Sequence, residues 1–325
     1  MGFLLRRLGF YLLAAWASIT LNFFLPRMMP GDPATAIFAR FQGQVRPEQL
    51  ESMRKAYGLS EASLLSQYWT YLKHLLQGDF GLSISSFPSP VTEVIGKGFA
   101  WTLLLGSTST MLAFLIGCTL GIVGAWRRSG FVDSVMPPLL IFVGSFPYFW
   151  LATLALYFLG FRFDIFPLSH AYTDGMSPEL SIEFVRSVVV HLIMPAGTVI
   201  LVSMGGWLLG MRNTMISVLA EDYITMAQAK GLSQRRIMFF YAARNALLPN
   251  VTAFGMAFGF VISGALVTEI VFSYPGLGYQ LLTSVRNLDY PLMQGIFLMI
   301  TFAVLIANMI VDLLYVRLDP RVRGS

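Results

Sequence analysis

Glu221–Pro249 reads EDYITMAQAKGLSQRRIMFFYAARNALLP and is the longest break between two strongly apolar segments in the second half of the chain. Its first part has helical spacing, with Tyr223, Met226, Ala227 and Lys230 on one face. Gly231 can take a positive φ and end that helix. Ser233 is a plausible N-cap for a second helix, whose face runs Ile237, Phe240, Tyr241, Arg244 and Leu248. The expected product is a helix–glycine–helix elbow, basic and partly apolar, leaving a membrane. It suits docking into a groove on another protein, and it equally suits a solvated hairpin.

Composition places the elbow in a membrane protein. Of 325 residues, 56% are hydrophobic and only 12% charged, about half the charge of a typical soluble chain. Uncharged runs long enough to cross a bilayer as helix centre on 8–26, 101–126, 134–161, 187–211, 245–268 and 290–311. The expected fold is an all-α polytopic membrane protein of six transmembrane helices. Short alternating segments of a β-barrel are not what these runs show.

The net charge of +5 has a membrane explanation. With the N-terminus inside, cytoplasmic segments hold twelve basic residues, among them Arg6, Arg7, Arg127, Arg128, Arg212, Lys230 and Arg235. The two short external loops hold three, Arg162, Arg186 and Arg286. This bias puts both termini in the cytoplasm and leaves no excess charge for nucleic acid to explain. Arg6-Arg7 before an apolar run could open a signal peptide, but the run continues through Leu25, about twice the usual signal core. It is read as a first span that stays.

The expected domains are a first transmembrane helix over 1–29, an external helical region over 30–98, and a five-helix core over 99–325. The core carries the cytoplasmic loop 212–246. In the external region, Pro30-Gly31-Asp32-Pro33 makes a sharp turn, and two amphipathic helices follow, Pro47–Tyr57 and Leu64–Leu76. That region is either an inert cap or a surface for an external partner.

Span three contains Ser145-Phe146-Pro147-Tyr148-Phe149-Trp150. Proline there removes a backbone hydrogen bond and kinks the helix. Phe146, Pro147, Tyr148 and Trp150 are therefore candidates for a transport pathway, with Met256 and Gly259 on span five. Gly205-Gly206 and Gly255, Gly259 and Gly264 allow close helix approach. An external turn follows span five and includes Glu269, Pro275 and Gly276.

Several ordered motifs give the chain a resemblance to ABC-transporter permeases of the peptide-type branch (dipeptide, oligopeptide, nickel). Met29-Pro30-Gly31-Asp32-Pro33 and Gly78-Asp79-Phe80-Gly81 flank the external region as they do in that branch. Asp222-Tyr223, Ala229-Lys230-Gly231-Leu232 and Arg244-Asn245-Ala246-Leu247-Leu248-Pro249 follow its loop pattern. The strict permease loop has Glu-Ala-Ala where Thr225-Met226-Ala227 stands here, and its Leu-Pro lies closer to the glycine. Glu269 through Gly278, Asp312, Tyr315 and Asp319-Pro320-Arg321 extend the likeness to the end of the chain.

The resemblance implies a permease of a bacterial inner membrane, paired with a second permease in a heterodimer and with two ATPase subunits. An external substrate-binding protein would deliver cargo. Its coupling residues would be Glu221, Asp222, Tyr223, Met226, Ala227, Lys230, Gly231 and Arg235, with Gly231 setting the elbow angle. The sequence has no P-loop pattern, so ATP and Mg²⁺ are expected on the partner ATPases and no cofactor on this chain. His74, His170 and His191 lack metal-ligand spacing, and no metal site is expected. The deep parts of the spans carry almost no ionisable residues, unlike many ion-coupled carriers. Glu269 and Asp312 come nearest, and both fall near span ends, where a capping or interfacial role is expected. Peptide is the expected cargo, oligosaccharide the alternative, and a secondary carrier the reading from another class.

Overall fold

The computed structural model describes residues 2–28, 63–259, 261 and 266–318. The Pro30–Pro33 turn, the expected helix Pro47–Tyr57, Gly264 and the Asp319-Pro320-Arg321 ending lie outside them. So do the side chains of Asp312 and Tyr315. Among the described residues the fold is all-helical. In chain order the α-helices of six or more residues are α1 (Gly2–Arg27), α2 (Leu64–Leu76), α3 (Val91–Trp126), α4 (Met136–Gly144) and α5 (Tyr148–Ala155). They continue with α6 (Ile182–Leu219), α7 (Asp222–Ala229), α8 (Arg244–Gly259), α9 (Leu266–Val271), α10 (Leu277–Arg286) and α11 (Tyr290–Leu318).

Four of these contain stretches long and apolar enough to cross a membrane, Gly9–Arg27, Val91–Trp126, Ile182–Leu219 and Tyr290–Ile310. They coincide with the first, second, fourth and sixth expected spans. The third is not one helix. Its halves meet at 95° across Ser145–Pro147 and make a fifth span only if the bent pair counts as one. The fifth expected span is helix through Gly259 and then passes partly outside the described residues. α2 covers the range read from the sequence. α3 starts at Val91 and runs through the expected boundary at 98/99, and α6 continues to Leu219, past the expected loop start at 212.

The chain divides into two compact units, residues 1–102 with 275–325, and residues 103–274. In the first, α1 packs along α11. Phe23 is fully buried, and Asn22 donates to the Gln294 carbonyl at 2.7 Å within that apolar seam. A polar side chain in an apolar seam fixes register, because any other register leaves it unpaired. Asp289 sits before α11 and is fully buried. Its Oδ1 accepts the Leu292 amide at 3.1 Å, the bond of a helix N-cap. Its Oδ2 accepts Ser83 Oγ at 2.6 Å, the Ser85 amide at 2.8 Å and Ser85 Oγ at 2.5 Å. One carboxylate thus fastens the 82–90 loop to the last long helix. Nearby, Asp79 is held below the usual carboxylate range, first by the Gly81 amide at 2.9 Å and then by His74.

In the second unit the helices meet through glycines. A Cβ on Gly117 would lie 2.6 Å from the Met204 carbonyl oxygen, and one on Gly121 would lie 2.6 Å from that of Leu208. α3 and α6 therefore approach backbone to backbone. Gly144 and Gly205 do the same for α4 and α6, with Cβ positions 3.0 Å from the Val202 oxygen and 3.1 Å from the Leu140 oxygen. Gly206 and Gly255 face nothing within 4 Å, so the close-packing role expected of them is not where the structure uses glycine.

Candidate coupling elbow

α6 ends at Leu219, and after two intervening residues α7 begins, with Glu221 at the N-cap position and Asp222 in the first turn. A carboxylate there complements the unpaired amides and the helix dipole. α7 ends in a Schellman motif. The Gly231 amide donates to the Gln228 carbonyl at 2.9 Å, and the Leu232 amide reaches back to the Ala227 carbonyl at 3.3 Å. Gly231 holds φ at +74°. A Cβ on it would meet nothing within 4 Å, so glycine is required here by backbone conformation alone.

Ser233 stands at the N-cap position of the next helix, as expected, but its side chain makes no capping hydrogen bond. Its carbonyl begins the helix by accepting the Ile237 amide at 3.0 Å. The helix runs Gln234–Arg236, widens into a π-helical stretch over Ile237–Ala243, and continues as α8. The π-helical stretch revises the sequence-derived face. Ile237, Ala242, Ala246 and Asn250 are buried, a jump of five and then steps of four, with Ala243 buried beside Ala242. Phe240 and Leu248, expected to share a face with Ile237, are 70% and 66% exposed, whereas Ile237 is fully buried. The extra residue of a π-helical turn rotates everything after it.

Beneath the elbow lies one apolar cluster. Ile224 and Ala227 of α7 pack with Ile237, Ala242, Ala243 and Ala246, and with Met211 and Met215 of α6. Phe114, Cys118 and Ala125 of α3 complete it, and Leu232 closes the turn over it. Ala227 is only 3% exposed. It does not share an outer face with Tyr223, Met226 and Lys230. Alanine at this position lets α7 lie close on its neighbours, whereas Tyr223, Met226, Lys230 and Arg235 remain exposed.

Tyr223 also ties the two arms together. Asn245 Nδ2 donates to the Tyr223 hydroxyl at 2.9 Å and to the Tyr241 carbonyl at 3.0 Å. At the base, Arg212 of α6 meets Asp133 of the turn that follows α3. Asn245, Asp133 and the glycines of α3 escaped sequence reading. The Gly117–Gly121 spacing was a visible signal, but the partner of Asp133 is 79 residues away.

The pathway candidates fall in two places. Ser145–Pro147 forms the break between α4 and α5, where Pro147 is extended at φ −56°, ψ 128°. Phe142 and Phe146 meet edge to face at 5.1 Å, and Phe146 and Trp150 stack at 5.1 Å. Tyr148 is half-buried at the start of α5. Met256 is half-buried on α8, and Gly259 is its last residue. Of the expected external turn, Glu269 is fully buried within α9, and its carbonyl accepts the Tyr274 amide at 2.8 Å. Pro275 and Gly276 lead into α10, with Gly276 at its N-cap position. Among the described residues no cluster of three potential metal ligands occurs.

Membrane-length helices joined to a rigid, partly exposed elbow are what a membrane transport subunit requires, and similarity to known proteins gives the class. Residues 117–324 match the family described as binding-protein-dependent transport system inner membrane component, and residues 1–102 match its N-terminal region. The chain belongs to this family and is a multi-pass permease subunit of an ABC importer. It is 32% identical over 337 aligned residues to the dipeptide transport system permease protein DppB of Escherichia coli (strain K12), covering 99% of this chain and 98% of that one. It is 30% identical to DppB of Lactococcus lactis subsp. cremoris (strain MG1363), covering 99% of both. It is 34% identical to the oligopeptide transport system permease protein AppB of Bacillus subtilis (strain 168), covering 93% of both.

Proposed function

We propose that this chain passes peptides across a bacterial inner membrane, driven by ATP hydrolysis in separate subunits. The observation that carries the reading is the core shared by α7, the end of α6 and α3. A push on the exposed residues Asp222, Tyr223, Met226, Lys230 and Arg235 moves a packed block instead of a floppy loop, because close-packed interiors transmit displacement. The block continues directly into α6 and α8, so the motion reaches the spans that border the pathway. Ala227 and Gly231 hold the elbow's shape beneath and beside the contact.

In this reading six spans cross the membrane, both termini lie in the cytoplasm, and the region 30–98 lies outside. A second permease completes the channel, two ATPases bind ATP and Mg²⁺, and an external binding protein delivers cargo. The dipeptide and oligopeptide systems named for the relatives support peptide over oligosaccharide. The test is uptake of labelled di- and oligopeptides into proteoliposomes carrying the whole importer, with ATP present or absent inside or outside. ATP-dependent peptide uptake is expected. Peptide uptake driven by an ion gradient without ATP contradicts the reading.

A further inference from the structure

α2 is a three-sided helix, and among the described residues one of its sides packs on protein, against α1. Tyr68, Tyr71 and Leu75 follow helical spacing on the side facing α1. There the Tyr68 hydroxyl lies 2.7 Å from Thr20 Oγ1, and the rings of Tyr68 and Tyr71 sit 5.2 and 5.5 Å from that of Phe23. Gln67 Oε1 accepts from Arg27 Nε at 3.3 Å. A second apolar stripe, Leu65, Trp69, Leu72 and Leu76, lies roughly 100° farther around the helix. Leu65, Trp69 and Leu76 are 68%, 65% and 89% exposed. Ser66, Thr70, Lys73 and Gln77 form the polar third side.

The attachment to α1 sets the depth of this helix. The apolar stretch Gly9–Arg27 has 19 residues, about 28 Å of helix, which only just spans a hydrocarbon core of about 30 Å. Thr20, Phe23 and Arg27 occupy its last turns, so α2 lies at the membrane boundary. Leu21, Phe24 and Leu25 of α1 are exposed at the same level, as lipid-facing residues of a span are. Tryptophan and tyrosine concentrate at this depth in membrane proteins, and α2 carries Tyr68, Trp69 and Tyr71 together. A stable interface between proteins takes about 20–30 residues a side, against the four of this stripe.

We infer that α2 is an interfacial helix whose Leu65–Trp69–Leu72–Leu76 stripe inserts into the lipid surface beside α1, with Lys73 at headgroup level. The stripe anchors the start of the segment leading to α3 at a fixed depth, which is how amphipathic helices hold peripheral elements on bilayers.

The one native cysteine, Cys118, is buried, so a Cys118→Ala background permits single nitroxide labels. The full chain, in nanodiscs of phosphatidylethanolamine and phosphatidylglycerol, is labelled at Leu65→Cys, Trp69→Cys or Leu76→Cys. Ser66→Cys, Thr70→Cys and Lys73→Cys serve as controls on the same helix. Labels on the apolar stripe should show a several-fold higher ratio of oxygen to aqueous nickel-complex accessibility than the controls. Equal nickel accessibility on both stripes would place the face in water and overturn the inference. Shielding of the apolar stripe from both reagents would show protein covering it, and would also overturn it. Quenching by acyl-brominated lipids, compared between the unlabelled protein and Trp69→Phe, gives an independent reading. Loss of a quenched component is expected with Trp69→Phe, and unchanged quenching would contradict lipid contact.

Discussion

Arg212 Nε donates to Asp133 Oδ1 at 2.6 Å, while the other carboxylate oxygen accepts the Ser129 amide at 2.9 Å. The pair joins the turn after α3 to α6, eight residues before α6 gives way to the elbow. It is partly shielded, with 26% and 10% of the two side chains exposed. Asp133→Asn should destabilise the protein by about 1 kcal/mol, a fall of about 2–4 °C in melting midpoint. Arg212→Gln should do the same, and the double variant should be no worse than either single one. Fully additive losses would show that the pair is not a unit.

Gly231 offers a graded test of the elbow turn. Its φ of +74° is left-handed, and no neighbour would clash with a Cβ. A non-glycine residue there costs about 1–2 kcal/mol of backbone strain, and asparagine tolerates the conformation best. Transport should therefore fall in the order wild type, Gly231→Asn, Gly231→Ala, Gly231→Val, with membrane insertion unchanged in all four. Uptake by Gly231→Val equal to wild type would remove the geometric role of the turn.

The glycines of α3 separate steric need from sequence appearance. Gly121→Leu must push a side chain into the Leu208 carbonyl, 2.6 Å from the Cβ position. Backbone cannot yield as a side-chain tip can, so the yield of folded protein in mild detergent should collapse. Gly255→Ala, with nothing within 4 Å of the Cβ position, should purify and transport like wild type. Equal behaviour of the two variants in size-exclusion profiles would refute the packing of α3 on α6.

Asp289 is a buried polar anchor of the first unit, accepting four hydrogen bonds. Asp289→Ala leaves Ser83, Ser85 and the Leu292 amide without their shared acceptor in a buried site. Hydrogen bonds to a charged group contribute about 1.5–3 kcal/mol each, so a loss of about 3 kcal/mol or more is expected. Protease cleavage within 82–90 should rise correspondingly. An unchanged melting midpoint and cleavage pattern would contradict the anchoring role.

What the sequence made legible follows from which signals are local. Four spans stand out because a bilayer demands long uninterrupted apolar helices, and α2 because its amphipathic period has clear ends. Gly231 was visible for the same reason: a helix stop is written in the residues that make it. The π-helical turn at Ile237–Ala243 is not legible, since no residue type marks it, and it separates the exposed Phe240 and Leu248 from the buried Ile237, with which they were expected to share a face. The burial of Ala227 is not legible in its spacing with Tyr223 and Lys230, because α7 alone does not show which of its sides meets α3 and α6. Pro147 announced a kink, but whether it bends or breaks a span depends on the packing of α4 against α6. The burial of Glu269 is tertiary in the same way: its distance from the span centre in sequence says nothing of the neighbours that cover it.

In the proposed mechanism a separate ATPase drives this permease through the outer residues of the elbow. The most direct measurement is affinity purification of the chain from its native membranes in mild detergent, with ATP hydrolysis assayed on wild type, Lys230→Glu and Arg244→Glu. Co-purified ATPase subunits and hydrolysis are expected with wild type. Lys230→Glu, on the outer face of α7, should lower both more strongly than Arg244→Glu, at the far end of the elbow where α8 begins. A protein that purifies without any ATPase, yet alone carries peptide into vesicles along an ion gradient, would contradict the account.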